Sequence, residues 1–220
     1  MLIRYLGHSE FLLTDEHGAK VVTDPYDDHV GYPVQPVACG AVTVSHGHSD
    51  HAYTAALKGS PIVLDKKGSY SPLPDVFVTM IPCWHDEVSG AKRGPNLISV
   101  IEMDGVRVCH LGDLGHPLTD DLIRQIGRVD VLLVPVGGFF TIDSSTALTV
   151  VKALSPRITI PMHYRTECNA SWPIAPVDQF LDLMGADEGE REEMDILRVM
   201  PQDLCEQPRL ALMRRVTVAG

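Results

Sequence analysis

The chain has 220 residues, 45% hydrophobic and 21% charged, a balance that suits one globular core and demands no second unit, so residues 1–220 are read as a single domain. Its formal net charge of −11 argues against a sequence-independent grip on nucleic acid, which needs clustered Lys and Arg to displace counterions. The N-terminus does not read as a secretory signal, no apolar run reaches the roughly 20 residues that span a bilayer, and the scattered Cys39, Cys83, Cys109, Cys168 and Cys205 form no disulfide pattern, so a reducing cytoplasm and no membrane contact are expected.

Apolar runs predict short strands at residues 2–6, 11–14, 20–23 and 41–45. The Pro- and Gly-bearing stretch 25–40 reads as a loop that covers part of a site, with Gly31-Tyr32-Pro33 as an exposed segment open to a partner subunit. A helix is expected at 52–58 and strands at 62–64 and 76–81. Strands at 98–103 and 107–111 flank Asp104-Gly105, a hairpin signal because both residues tolerate positive φ. The second half reads as helix 119–126 starting at Thr119, strand 131–136, helix 144–154 capped by Asp143 or Ser144, strand 158–161 and helix 177–184. The acidic stretch 187–193 reads as a solvated surface turn. This pattern alone establishes a mixed α/β chain.

The chemistry concentrates between residues 45 and 51, Ser-His-Gly-His-Ser-Asp-His. Three imidazoles (His46, His48, His51) and one carboxylate (Asp50) on a tight turn after a strand suit an open transition-metal site, whereas a structural zinc site would use cysteine. His46 and His48 are two apart, so an extended segment points both rings to one side, and Asp50 and His51 come where the chain turns. Further along stand Asp24 in Val-Val-Thr-Asp-Pro, His85 after Ile-Pro-Cys-Trp, Asp113 in Leu-Gly-Asp-Leu-Gly and His163 in Ile-Pro-Met-His-Tyr.

His-x-His-x-Asp-His with these ordered motifs resembles the metallo-β-lactamase superfamily. Gly7-His8-Ser9 and Pro-Val-Gly-Gly-Phe-Phe-Thr-Ile-Asp are similar to the branch that holds ascorbate-6-phosphate lactonase and other metal-dependent hydrolases. The resemblance implies a four-layer αββα sandwich, two mixed sheets flanked by helices. It implies two divalent cations, roughly 3.5–4 Å apart, with His46, His48 and His85 on the first, Asp50, His51 and His163 on the second, and Asp113 between them. Zinc is the first expectation, and manganese, iron or nickel also suit a nitrogen-rich set. The implied activity is hydrolysis of a small ester, lactone or phosphoester by a metal-activated hydroxide, with Asp50 and Asp113 as catalytic residues. A phosphodiesterase or nuclease, a redox enzyme and a non-catalytic metal-binding module are the alternatives. Arg93, Arg157 and Arg165 are available to hold an anionic substrate.

Residues around these motifs have secondary readings. His116, three past Asp113 on a Gly-flanked loop, is the candidate proton donor. Asp24 either orients a ligand histidine or simply forms the turn before Pro25. His8 is either a substrate-pocket residue or a buried hydrogen-bonded histidine, and His110 supports a ligand and is not one itself. Cys83 is a competing ligand to His85, and Asp86 a candidate to hold the His85 ring. His17 and His29 read as surface residues without a role. Gly112 permits the turn into Asp113, Gly115 reopens that loop, Gly137-Gly138 leave space above the metals, and Thr141 and Asp143 line that space unless Asp143 caps the following helix.

Overall fold

A computed structural model describes residues 1–204 and 207–218, the side chain of Asp203 excepted, so Cys205 lies outside the described residues. In chain order the elements are β1 (Leu2–Gly7), β2 (Glu10–Thr14), β3 (Lys20–Thr23), β4 (Val37–Ala38), β5 (Ala41–Thr43), β6 (Leu57–Lys58), β7 (Ile62–Leu64), β8 (Gly68–Leu73), β9 (Val76–Trp84), β10 (Pro95–Met103) and β11 (Val106–His110). They continue with α1 (Asp120–Ile126), β12 (Val131–Pro135), α2 (Ser144–Leu154), β13 (Ile158–Met162), α3 (Asp178–Met184), β14 (Leu197–Arg198) and β15 (Arg209–Leu210).

Two mixed sheets form, in the orders β14-β1-β2-β3-β5-β7 and β15-β13-β12-β11-β10-β9-β8, with β4 and β6 as a small separate pair. In each large sheet antiparallel meanders give way to parallel strands: β3, β5 and β7 in the first, β11, β12, β13 and β15 in the second. Period-two alternation decides which side chains meet between them. Ile3, Phe11, Leu13 and Val21 from the first sheet pack on Val78, Met80, Ile101, Val108 and Leu133 from the second. The outer face of the second sheet buries Leu132 and Val134 under α1, α2 and α3 through Ile126, Ala147, Val150 and Phe180.

Several local expectations hold for stated reasons. Asp104 and Gly105 take φ of 52° and 72° and close the β10–β11 hairpin at Met103 and Val106. Thr119 caps α1 by accepting from the Leu122 N–H, and Asp143 caps α2 by accepting from the Thr146 N–H. Strand β9 runs three residues past its expected end, through Pro82, because its pairing with β8 stops at Met80 and leaves that edge free of a donor requirement.

The helix expected at 52–58 is absent. That segment is a 3-10 turn at Thr54–Ala56 followed by β6, which pairs with β4. Seven residues are too few to nucleate a helix unaided, and tertiary bonds take their main chain: the Tyr53 N–H donates to Pro25 and the Lys58 carbonyl accepts from Cys39. The outer face of the first sheet is therefore covered by Ala52, Leu57, Val216 and Val218, not by an α-helix, and all three α-helices among the described residues lie over the second sheet. Among the described residues no helix is long and apolar enough to cross a membrane.

Candidate metal centre

Each of the seven predicted donors, with His8, Asp24 and Ser45, follows the carboxyl end of a strand, and both sheets place those ends on one edge of the sandwich. β1 delivers His8, β3 delivers Asp24, and β5 delivers Ser45 through His51. From the second sheet β9 delivers His85, β11 delivers Asp113 and β13 delivers His163. The sheets are stitched together at this edge by main-chain bonds from Leu97 N–H to Ser45, at 2.8 Å, and from His163 N–H to His8, at 3.0 Å.

Seven residues picked from sequence converge here. Ligand atoms of His46, His48 and His85 lie within 4.8 Å of one another, as do those of Asp50, His51 and His163, and those of His46, His51 and Asp113. Asp113 is central: its carboxylate lies 3.2 Å from His51 Nε2 and His85 Nε2, 3.4 Å from His163 Nε2 and 3.9 Å from His46 Nε2. His46 Nε2 and His48 Nδ1 approach to 3.0 Å, so the two rings do share one side.

Asp24 sets the ring orientations. It accepts from His51 Nδ1 at 2.8 Å and from the Ser45 hydroxyl at 2.6 Å, and Ser45 Oγ in turn meets His46 Nδ1 at 2.9 Å. With Nδ1 of both rings so engaged, Nε2 is the atom each turns toward the cluster. Burial works against ionisation of Asp24, but His110 and the bond from His51 hold its carboxyl below the ordinary range. Of its two readings, the orienting one matches the geometry. Asp24→Asn, which tolerates the left-handed backbone at φ 39°, is expected to weaken metal binding by about 10–100-fold. Competition against a chromophoric chelator checks this, and unchanged affinity would refute the role of Asp24.

Burial at the centre opposes charge on the histidines, while its carboxylates favour a positive charge beside them. Burial depresses His46 to about 3, with His51 adding to the effect. Burial also opposes charge on His51, yet Asp113 and Asp50 raise it well above its ordinary value. Asp113 is held well below the carboxylate range by His163 and His51 despite complete burial. His8 Nε2, His51 Nε2, His163 Nε2 and Asp113 Oδ1 are all buried without a hydrogen-bond partner. Orphaned donors aimed at common points beside two ionised carboxylates fit divalent cations.

Other expectations are corrected. His116 is not poised as a proton donor: its Nε2 accepts from the Trp84 N–H, its Nδ1 donates to the Pro117 carbonyl, and the ring does not line the cavity. Cys83 points away from the cluster, where Asn96 donates to its sulfur at 3.0 Å and burial pushes the thiol up to about 12. Asp86 does not touch the His85 ring. It folds the following loop by accepting from the N–H groups of Val88, Gly90, Lys92 and Arg93, and these donors overcome burial to hold its carboxyl at about 2. Gly137 opens no space above the centre. A Cβ there would lie 2.3 Å from the His163 carbonyl, so glycine is needed for close backbone approach, as at Gly115 against His85. His110 braces the centre, donating from Nε2 to Ser9 and accepting from Gly112 N–H.

The centre opens into a cavity of about 440 Å³ lined by His29, His48, Asp50, His85, Arg93, Asp113, Phe140, Ser171, Trp172 and Pro173. His29, read as a surface residue, lines it 5.9 Å from Trp172 between ring centres, while His17 stays on an exposed turn beside Glu16. Phe140, not Thr141, faces the cavity, and Asp143 serves as the α2 cap. Tyr32 is not exposed: it is buried with Tyr26 and Val30, packs near Trp172 and meets Thr166 Oγ1 at 2.8 Å. Of the three arginines only Arg93 reaches the cavity. Arg157 lies beside Asp130 and Ser155 at another surface hollow, and Arg165 is exposed on the loop after His163. Asn96 was missed by sequence reading, yet its Oδ1 accepts from the Asp113 N–H and its amide donates to Leu111, fixing the Asp113 turn.

Residues 2–163 match the family described as the beta-lactamase superfamily domain. A UPF0173 metal-dependent hydrolase of Archaeoglobus fulgidus is 32% identical over 197 residues, 76% of this chain and 84% of that protein. Another, from Thermococcus kodakarensis, is 29% identical over 223 residues, 89% of this chain and 96% of its own length. Among solved structures, a metallo-β-lactamase superfamily protein of Thermotoga maritima superposes with a TM-score of 0.78 at 34% identity, over 97% of this chain and 98% of that one. The chain therefore belongs to the metallo-β-lactamase superfamily, among its metal-dependent hydrolases.

Proposed function

We infer that the protein hydrolyses a small ester, lactone or phosphoester that carries an anionic group, using two divalent cations, zinc first and manganese, iron or nickel as alternatives. His46, His48 and His85 would hold one cation, Asp50, His51 and His163 the other, and Asp113 both. When bound, such cations acidify water and polarise a carbonyl or phosphoryl oxygen. The observation that carries this reading is the convergence of seven donors, four of which (His48, Asp50, His85 and Asp113) line one cavity.

The chain's own residues supply binding. A cavity of about 440 Å³ is of a size to take a small molecule. Trp172 and Phe140, 5.8 Å apart between ring centres, form an apolar wall of that cavity. Arg93 faces the same space. Its guanidinium donates to the Phe139 carbonyl at 2.8 Å and rests 5.7 Å from the Phe140 ring centre, and no carboxylate among the described residues lies in ion-pair range of it. An unpaired arginine at the wall of a metal cavity is suited to a carboxylate or phosphate on the substrate. The described cysteines are free thiols, with Cys39, Cys83 and Cys109 buried, which supports a reducing compartment.

Hydrolysis of chromogenic esters and phosphodiesters before chelation, after it, and after return of Zn²⁺ or Mn²⁺ tests the assignment. Activity indifferent to chelation would contradict it. Arg93→Gln is expected to raise KM by about 10-fold or more for an anionic ester while leaving a neutral ester of the same leaving group unaffected. An equal change for both substrates would remove the anion-binding role.

A further inference from the structure

We propose that His8 is itself a metal ligand, completing through Nε2 the second cation position beside Asp50, His51 and His163. The assignment deepens the two-cation reading and rests on it.

Spacing is the first argument. Donors bound to one cation at about 2.1 Å stand about 3.0–3.5 Å from one another. His8 Nε2 lies 3.3 Å from Asp50 Oδ2, among the separations His51–Asp113 at 3.2 Å, His163–Asp113 at 3.4 Å and His51–Asp50 at 3.6 Å. The genuine hydrogen bond in the same cluster, His51 Nδ1 to Asp24, is 2.8 Å. One ligand atom of His8 lies within 4.8 Å of those of Asp50, His51 and His163.

Burial is the second. The His8 side chain is 0% exposed, and neither ring nitrogen has a hydrogen-bond partner. Its ring is 4.2 Å from His163 and 5.3 Å from Trp172 between centres, so the indole shields it from water. A buried imidazole with no hydrogen-bond partner, its Nε2 3.3 Å from the Asp50 carboxylate, is in the state of a ligand.

The backbone supplies the third. His8 adopts φ 56°, a left-handed conformation uncommon outside glycine, as does His163 at φ 52°. The His8 carbonyl accepts from both the Tyr5 hydroxyl, at 3.1 Å, and the His163 N–H, at 3.0 Å. The irregularity between Tyr5 and Gly7 in the β1–β2 pairing thus ends in a turn locked to a ligand of the opposite sheet. With His8 included, the second position would have four protein donors of its own (His8, Asp50, His51, His163), with Asp113 beside His51 and His163, against His46, His48 and His85 at the first. A site with that many donors would suit a cation that takes more than four ligands, such as manganese, iron or nickel, more than tetrahedral zinc.

The test is titration of metal-depleted wild type, His8→Gln and His8→Asn with Mn²⁺ and with Zn²⁺ against a chromophoric chelator. Glutamine can still donate a hydrogen bond to Asp50, and asparagine accepts the left-handed backbone, so a folding failure in one leaves the other. Two equivalents are expected for the wild type. In both variants one should keep its affinity and the other weaken by about 100-fold, with the thermal midpoint of the metal-free protein little changed. Two equivalents at wild-type affinity in the variants would overturn the proposal, as would full rescue by glutamine alone, which would make His8 a hydrogen-bond donor. A single equivalent in the wild type would instead refute the two-cation reading. His8 would then stand as a ligand only if its variants weaken that one equivalent, and would be refuted otherwise.

Discussion

Asp113→Ala is expected to lower turnover by more than about 100-fold, beyond the usual loss for an outer partner of a metal ligand, with total bound metal falling far less. The carboxylate is buried and lies within 4 Å of His46, His51, His85 and His163, so it reaches both donor clusters. Each cluster keeps its own donors after the substitution, His46, His48 and His85 on one side and Asp50, His51 and His163 on the other. In the paired-cation reading, what would disappear is the shared anion that would offset the charge of two neighbouring cations. Metal analysis alongside ester and phosphodiester assays checks the split. Turnover that survives the loss of Asp113 would show that the two positions do not act together.

His48→Ala is expected to lose one equivalent of metal and all activity while the metal-free protein keeps its fold. His48 sits exposed on the loop after Gly47 and contacts His46 and His85 only through their rings, outside every apolar cluster. The cores between the sheets and beneath α1, α2 and α3 do not involve it, so metal-free stability should change by no more than about 0.5 kcal/mol. The loaded proteins should differ more. A cation at about 100 times its Kd contributes about 2.7 kcal/mol, roughly 5–10 °C in thermal midpoint for a chain of this size. Matched melting curves with and without chelator measure both differences. A variant that unfolds when metal-free would show that the loop carries structural weight that its exposure does not suggest.

What was legible in the sequence was local. His46, His48, Asp50 and His51 fall within six positions, and the strand-to-turn geometry that brings them together is short enough to read directly. The Asp104-Gly105 hairpin and the Thr119 and Asp143 caps depend on neighbouring dihedrals and donors, and all three occur as expected. Where tertiary partners compete, local pattern fails. The 52–58 segment has helix-forming alanines, but Pro25 and Cys39 claim its main chain. Strand β8, with Gly68, Ser71 and Pro72, carries no apolar alternation and exists because it pairs with β9.

The supporting residues of the site were harder to read because their partners are distant in sequence. Asp86 looked like a partner for the adjacent His85 and instead gathers four main-chain donors from the loop that presents Arg93. Asn96, the one amide amid the buried apolar residues of β10, holds the Asp113 turn across 17 residues, and a buried amide in such a strand is the signal that identifies it. Trp172 lies on a loop without periodicity and becomes a wall only through its contacts with His29 and Phe140. Three arginines were equivalent candidates by type, and only the fold separates Arg93 from Arg157 and Arg165.

The most direct test of a paired-cation hydrolase is elemental analysis of the full chain, purified without a metal-affinity tag, for metal bound per chain. The donor clusters around Asp113 predict about two equivalents of zinc, manganese or another divalent first-row metal. A single equivalent after careful handling would contradict the paired centre, and none at all would contradict metal-dependent hydrolysis by this site.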